Sequence, residues 1–401
     1  MAESSERLAS AHKKPRKRRI GSRRRKTHRQ ASQPLEGFLR LAEDGKAFLS
    51  QLSRGLRPAP GDPLVDPRLV AQWHLEPGVR LSGRGTTNGN ASVVTELETI
   101  EGLSPREYRE RAIPFSELVS IDPTERFRLE TTPDVLETRV IELLAPMGKG
   151  QRCLIVAPPK TGKTTLLQQL AHAIAVNHPD VHIFVLLVDE RPEEVTHWTR
   201  SVVRGEVFAS SSDQDAASHI AISEMVLERA RRLVELGRNV VVFVDSLTRM
   251  SRAYNNIQKG SGRILSGGMD ARTMEKPRRF FGSARNVEDG GSLTIVATCL
   301  VDTGSRMDEV IFQEFKGTGN MEIVLTRDLF ERRIFPCIHI SSSGTRKEEK
   351  LYSREEVEKL HLLRRALATL PNHEAMQLLL AKLKQFPTNR EFLASLKSAK
   401  S

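Results

Sequence analysis

Residues Ala157-Pro158-Pro159-Lys160-Thr161-Gly162-Lys163-Thr164 have the types and spacing of a phosphate-binding loop. In the pattern G-x-x-x-x-G-K-[ST], successive backbone N–H groups converge on phosphate oxygens, the lysine reaches the β- and γ-phosphates, and the hydroxyl ligates Mg²⁺. Lys163 and Thr164 fit those last two roles, and Ala157 stands where the first glycine is usual. Two acidic signals accompany the loop: Asp189-Glu190 follows the apolar run His182–Val188, and Asp245 follows Val240–Val244. An acid at the carboxyl end of a buried strand suits the Mg²⁺ shell of a nucleoside triphosphatase, which is the role expected of Asp245. Either Asp189 or Glu190 would orient and deprotonate the attacking water. In an extended strand neighbours face opposite ways, so only one of them can serve, and the residues alone leave the choice open.

The elements that must hold these groups are legible in outline. Leu154-Ile155-Val156 precedes the loop as a strand, and Thr165-Leu166-Leu167-Gln168-Gln169-Leu170 follows it as a helix that ends near His178-Pro179-Asp180. Further buried strands are expected at His182–Val188, Val240–Val244 and Ser292–Ala297, the last ending in Thr298. Val- and Ile-rich strands alternating with longer helices from Pro133 onward predict an α/β class with a mostly parallel sheet, which binds ligands at the carboxyl ends of its strands. Beyond Tyr352 the chain reads as helical, with Ser353-Arg354-Glu355-Glu356 and Thr388-Asn389-Arg390-Glu391 as capping boxes.

At 401 residues the chain can hold two or three domains, and its net charge of +12 is unevenly spread. Lys13 to Arg29 carries eleven Lys or Arg and no acid, so the rest of the chain sums to +1 (12 minus 11). Such a run has nothing apolar to bury and is expected to stay disordered until it meets a polyanion, nucleic acid first among them. Cys153, Cys299 and Cys337 sit far apart in apolar segments and read as buried reduced thiols. No apolar run is long enough to cross a bilayer and no secretion signal follows the basic residues, which predicts a cytoplasmic protein without a membrane partner. Residues 1–33 are assigned to the basic tail, 34–122 to a small β-rich domain with Pro and Gly clusters such as Pro58-Ala59-Pro60-Gly61-Asp62-Pro63, and 123–401 to the catalytic domain with its C-terminal helices.

The loop at 157–164, Val188-Asp189-Glu190-Arg191-Pro192-Glu193-Glu194-Val195, Phe280-Phe281-Gly282-Ser283-Ala284-Arg285-Asn286, Asp302-Thr303-Gly304-Ser305-Arg306-Met307-Asp308-Glu309 and Ser343-Gly344-Thr345-Arg346-Lys347-Glu348-Glu349 are long, ordered motifs, and together they resemble the Rho family of transcription termination factors. The likeness runs almost unbroken from about residue 134 to residue 365. It implies a homohexameric ring with a RecA-like ATPase core that uses ATP and Mg²⁺ to pull single-stranded RNA through its centre and to release transcripts from the RNA polymerase elongation complex. By that resemblance Lys160, Thr161, Gly162, Lys163, Thr164 and Thr165 cradle the triphosphate, and Gly148-Lys149-Gly150-Gln151-Arg152, with Cys153 next to it, lines the same site. Glu190 becomes the catalytic base, Arg191 a nucleotide contact, Thr164 and Asp245 the Mg²⁺ side, Phe335 the aromatic on adenine, and Arg346 a finger reaching into the neighbouring subunit. Gly260–Gly268 with Arg263, and Asp302–Arg306 with Gly304 and Arg306, match loops that face the ring channel, where arginines grip phosphates without reading sequence.

The resemblance weakens at the N-terminus. The family's helical segment is replaced here by the basic tail, ahead of an OB or cold-shock-like RNA-binding segment. Gly37-Phe38-Leu39-Arg40 matches the end of a family motif, with Phe38 and Arg40 as RNA contacts. Glu36 and Leu64, however, stand at two positions where the family has aromatics, and Ala91–Leu97 has none. Each stacked base is worth roughly 1–3 kcal/mol, so these losses should remove most pyrimidine selectivity. The expectation is an RNA-stimulated translocase; a RecA-like ATPase without an RNA track, and an RNA-coating ring that uses ATP only to assemble, are the alternatives.

Overall fold

The structure, a computed structural model, describes residues 32–42, 44–88, 91–257, 264–265, 268–270 and 272–396. The Lys13–Arg29 run and Arg263 lie outside the described residues.

Short alternating segments close the first unit. Strands β1 (Ser32–Leu41), β2 (Ala47–Ser50), β3 (Leu64–Val65), β4 (Arg80–Asn88) and β5 (Ala91–Ile100) form a closed barrel in the order β1-β2-β3-β5-β4, with helix α1 (Pro67–Trp73) between β3 and β4. Leu39, Leu49, Val65, Leu81, Val94 and Ile100 fill its interior. The barrel begins earlier than the tail boundary implied, because Ser32 and Gln33 already pair with Thr86 and Gly85. Helix α2 (Pro105–Arg111) follows, started by a Ser104/Glu107 capping box, and then β6 (Ser120–Ile121).

The larger unit runs α3 (Leu136–Leu144), β7 (Arg152–Ala157), α4 (Lys163–Asn177), β8 (His182–Glu190), α5 (Pro192–Ser201), β9 (Glu206–Ser211), α6 (Ala216–Glu235), β10 (Asn239–Asp245), α7 (Leu247–Ile257) and a small ribbon, β11 (Ile264–Leu265) with β12 (Met269–Asp270). It continues through α8 (Glu275–Gly282), β13 (Arg285–Val287), β14 (Ser292–Leu300), α9 (Arg306–Lys316), β15 (Met321–Val324), α10 (Arg327–Glu331), β16 (Gly344–Thr345), α11 (Arg354–Ala368), α12 (Asn372–Leu383) and α13 (Asn389–Ser395). The sheet order is β16-β15-β7-β14-β10-β8-β9; β15 through β9 are parallel, β16 is an antiparallel edge, and β13 and β6 extend it off β14. Helices cover both faces, so alternate side chains of one strand enter two cores: Cys153, Ile155 and Ala157 of β7 face one, Leu154 and Val156 the other. The six parallel strands all end on the same edge, where an open α/β sheet offers its binding crevice.

The barrel docks on α6. Arg229 pairs with Glu101, donates to the Gly78 carbonyl at 3.4 Å and lays its guanidinium 5.0 Å from the Phe38 ring. Gly78, at φ 86°, presses against the Arg229 backbone with no room for a Cβ. At the other end, Ser353 makes a full capping box with Glu356, whereas Thr388 accepts from the Glu391 N–H at 3.2 Å and donates its hydroxyl to Glu391 Oε1 at 3.0 Å, without the bond from the N-cap backbone that would complete the box. All three cysteines are buried and unpaired.

Candidate active site

The chain leaves β7 at Ala157, turns through left-handed Lys160 (φ 68°) and Gly162 (φ 84°), and enters α4 at Lys163. Gly162 is the N-cap and no side chain caps this helix, so its first backbone N–H groups are free for an anion. Thr161 instead ties the loop to itself, donating to the Pro158 carbonyl at 2.8 Å. Thr164 is half-buried in the first turn and Thr165 is exposed.

The structure brings Lys163, Glu190 and Asp245 together. The Lys163 ammonium pairs with Asp245 Oδ1 and stands 3.5 Å from Glu190 Oε1. Burial pushes the Lys163 pKa down, but the two carboxylates outweigh it and hold it above its ordinary value. Both acids are about 1% exposed, and neither Glu190 Oε2 nor Asp245 Oδ2 has a hydrogen-bond partner. Burial, then the Asp245 charge, push Glu190 up to about 7 against the pull of Lys163 and Arg249. Two buried carboxylate oxygens without a hydrogen bond, of which Glu190 Oε2 has the Arg249 guanidinium 3.4 Å away, are groups prepared for something more to bind. Among the described residues no three His, Cys, Asp or Glu side chains gather to hold a metal by themselves. The donor set therefore fits a hard cation shared between Thr164, Asp245 and the oxygens of a phosphate ligand.

Asp189 and Glu190 are separated by backbone conformation rather than by simple strand alternation. Asp189 sits at φ 56°, and the β8–β9 register shifts between Val188 and Glu190. This bulge turns Glu190 inward to Lys163 and leaves the Asp189 carboxylate 40% exposed, 4.0 Å from His219 Nε2.

Two further residues belong to the cluster. Thr298, fully buried at the end of β14, donates from Oγ1 to Asp245 Oδ1 at 2.9 Å and so fixes that carboxylate. Arg249 on α7 donates to the Asp189 carbonyl and lies 3.4 Å from Glu190 Oε2. The sequence marked Thr298 only as a strand end. Arg249 had one weak signal, a basic residue in the first turn of the helix that follows the strand-end acid.

Arg191 is exposed at the N-cap of α5. Phe335 is 44% exposed, edge-on to Phe330 at 6.1 Å. It lies in the segment whose Cys337 carbonyl accepts from Thr326 N, next to Leu325 N donating to Val156 O, and so at the phosphate-loop edge of the sheet.

Gly148 to Cys153 do not line this site within one chain, contrary to expectation. They precede and open β7, about 17 Å of strand away from the loop that closes it. Lys149 is buried against Glu125 at 2.6 Å, Gly150 against Asn286, and Gln151 reaches Asn320 Oδ1 at 2.7 Å; Cys153 is a core residue whose thiol burial pushes well up. Arg346 is at this far end too, following β16 and donating from its N–H to the Asn320 carbonyl at 2.9 Å. A cleft of about 180 Å³ there is lined by Asp122, Gln151, Arg152, Asn320, Arg346 and Lys347 among others. Burial, then the Arg346 charge, hold Arg152 below its ordinary pKa.

Of the residues assigned to RNA, Phe38 is the correction: it is 7% exposed, wedged between barrel and α6 under Arg229, with no free face for a base. Arg40 stands 5.1 Å over the Phe48 ring, 3.3 Å from Ser50 Oγ and 3.8 Å from the buried Asp62 carboxylate. Gly304 (φ 77°), in the turn between β14 and α9, and Arg306, the first residue of α9, are both exposed at the loop edge of the sheet.

Residues 137–345 match the nucleotide-binding domain of the ATP synthase alpha/beta family. Among solved structures, the assembled type III secretion ATPase EscN of enteropathogenic E. coli superposes with a TM-score of 0.59 at 21% identity, covering 77% of this chain and 78% of its own. A prototypical type III secretion ATPase gives 0.57 at 22% identity, over 71% of this chain and 84% of that one. At these identities the likeness concerns the fold, the RecA-like ATPase core. Sequence relatives are much nearer. Transcription termination factor Rho of Streptomyces lividans is 50% identical over 366 residues, those of Aquifex aeolicus and Cereibacter sphaeroides 47% and 46% over 367, each covering 90% of this chain. The chain spans about half the length of the Streptomyces relative (51%) and 84% and 86% of the Aquifex and Cereibacter ones. Identity of this extent, on a RecA-like core preceded by a small closed barrel, assigns the chain to the family of transcription termination factor Rho.

Proposed function

We propose that this chain is an RNA-stimulated ATPase that assembles as a homohexameric ring, moves along single-stranded RNA and releases transcripts from the RNA polymerase elongation complex in the cytoplasm. Family membership supports the reading, and one observation carries it. The phosphate loop with Lys163, Glu190 and Asp245 lies at one end of β7, and Arg346 with Arg152 at the other. A complete site then needs two copies, one giving cradle and base, the other giving Arg346 in trans and the Gly148–Arg152 segment beside it.

In that arrangement Lys160 to Thr165 hold the phosphates of ATP through backbone N–H groups, and Lys163 exchanges Asp245 for the β- and γ-phosphates. A Mg²⁺ held by Thr164 and Asp245 would supply neutralisation of the phosphate charge. Thr298 keeps Asp245 aimed at that position. Glu190 orients the attacking water and takes its proton on a carboxylate oxygen, a task for which a pKa near 7 is suited. Phe335 packs on the adenine, and Arg191 reaches the nucleotide from the start of α5. Arg346 stabilises charge on the transferred phosphoryl group.

RNA would be gripped by Arg306, with Gly304 letting the backbone approach, and by Arg263 and the Lys13–Arg29 run. Arg40 offers one guanidinium from the barrel, and Phe38 is left out of the contact. Among the described residues no helix is long and apolar enough to cross a membrane.

The test measures ATP hydrolysis alone and with a panel of homopolymeric RNAs, together with transcript release from a stalled elongation complex. Hydrolysis that RNA does not change would defeat the reading in favour of an ATPase without an RNA track.

A further inference from the structure

The barrel touches the ATPase unit at a second point, the carboxyl ends of β8 and β9. There Val188 lies opposite Ser210 and Glu190 opposite Ser211. Arg57, in the barrel between β2 and β3, donates to the Ala209 carbonyl and also to the Gln214 carboxamide oxygen, at 2.6 and 3.1 Å. The Gln214 amide nitrogen in turn donates to Ser210 Oγ at 2.8 Å. With that bond accepted, the single Ser210 proton is directed to His219 Nδ1, 2.6 Å away. An imidazole that accepts at Nδ1 carries its proton at Nε2, and His219 Nε2 stands 4.0 Å from Asp189 Oδ1. Ser210 and His219 are buried, at 0% and 6% exposure, so these bonds have little competition from water.

The far end of this chain of donors is the residue that decides where Glu190 points. Asp189 has a left-handed backbone, one that Asp tolerates better than most residues with a Cβ, and the groups around it bear on whether it is kept. His219 faces its side chain, and Arg249 grips its carbonyl while reaching Glu190 Oε2 at 3.4 Å. A relaxation of Asp189 toward extended geometry would swing the next carboxylate off Lys163.

We propose that Arg57, Gln214, Ser210 and His219 form a directed hydrogen-bond relay that starts in the barrel and sets the His219 ring, whose Nε2 faces the Asp189 carboxylate at 4.0 Å, and that these positioning residues hold Glu190 in its working orientation. The barrel would thereby set the geometry of the hydrolytic site as well as capture RNA. The proposal rests on Glu190 being the base. Coupling of this kind is established by non-additivity rather than by proximity.

The experiment is a double-mutant cycle in the full chain, read as RNA-stimulated ATP hydrolysis. Arg57→Ala and Ser210→Ala each lower kcat by roughly five- to tenfold, with KM for ATP within about twofold of the parent and the thermal midpoint nearly unchanged. The double variant is no slower than the slower single one, and Arg57→Lys, which keeps a donor, retains most of the rate. If Ser210→Ala does not fold, Gln214→Ala closes the same cycle. Losses that multiply in the double variant, a rise in KM at constant kcat, or single variants at the parent rate overturn the relay. Glu190→Gln is measured alongside. If it is inactive while the losses multiply, the relay alone fails; if it keeps turnover, the assignment of the base fails and the relay with it.

Discussion

Asp189 and Glu190 are adjacent in the chain and occupy opposite environments: the Glu190 side chain is 2% exposed with Lys163 Nζ 3.5 Å away, and the Asp189 side chain is 40% exposed and faces His219. One left-handed residue and one register shift produce the difference. Glu190→Gln should therefore abolish turnover, by at least a hundredfold on the usual scale for a general base, while ATP binding persists; Asp189→Asn should keep most of the rate. Equilibrium nucleotide binding beside single-turnover hydrolysis checks both.

Burial raises the Glu190 pKa to about 7, and the base works only when deprotonated. In the free protein kcat/KM for ATP should rise with pH through a midpoint near 7. The same shift has a stability consequence of defined sign. Between its ordinary carboxyl range and about 7 the folded chain holds a proton that the unfolded chain has released, so this group's contribution falls as pH rises through that window. The thermal midpoint of Glu190→Gln relative to the parent should improve from pH 5 to pH 8; a difference independent of pH would contradict the burial argument.

Lys163→Ala and Arg346→Ala should each be inactive as uniform rings, since they damage opposite ends of β7. Mixed rings should regain activity, because some interfaces then join an intact cradle to an intact finger. Rings shown to be mixed, yet without any recovered hydrolysis, would place Arg346 outside the neighbouring site.

Phe335 is 44% exposed, with the Phe330 ring edge-on to it, so its removal leaves little of the core disturbed. Phe335→Ala should raise KM for ATP by roughly tenfold with kcat nearly intact, the signature of lost ground-state stacking, and Phe335→Tyr should restore it. Steady-state kinetics over ATP concentration decides.

Phe38→Ala removes a ring that is 7% exposed between barrel and α6. The loss should appear as about 3 kcal/mol of stability in denaturant unfolding, with RNA affinity unchanged under conditions where the chain stays folded. A selective loss of RNA binding at full stability would restore Phe38 to the RNA surface.

The basic tail can be removed only up to residue 31, since Ser32 and Gln33 pair into the barrel. A chain lacking residues 1–31 should bind RNA more weakly and with a shallower dependence on salt, because fewer counterions are released, while its maximal ATPase rate stays near that of the full chain. Titration at several salt concentrations measures the slope directly.

Contiguous motifs were readable from residue order alone. A loop followed by a lysine and a hydroxyl, and apolar runs ending in Asp245 and Glu190, are local patterns whose chemistry depends on neighbours in the chain. The parallel sheet followed from the alternation of Val-rich runs with helices, and the barrel only faintly, because short two-sided strands such as Leu64–Val65 carry almost no periodicity. What needed the tertiary structure was everything set by contacts distant in sequence. Gly148 to Cys153 stand a few residues before the phosphate loop but at the other end of the strand, since each residue of extended chain advances about 3.3 Å. Thr298 meets Asp245 across 53 residues, and Arg229 covers Phe38 across a boundary between two units, so neither pairing leaves a mark on local composition. The choice between Asp189 and Glu190 belonged to a single backbone torsion, which is fixed by packing around the bulge and not by the identity of either acid.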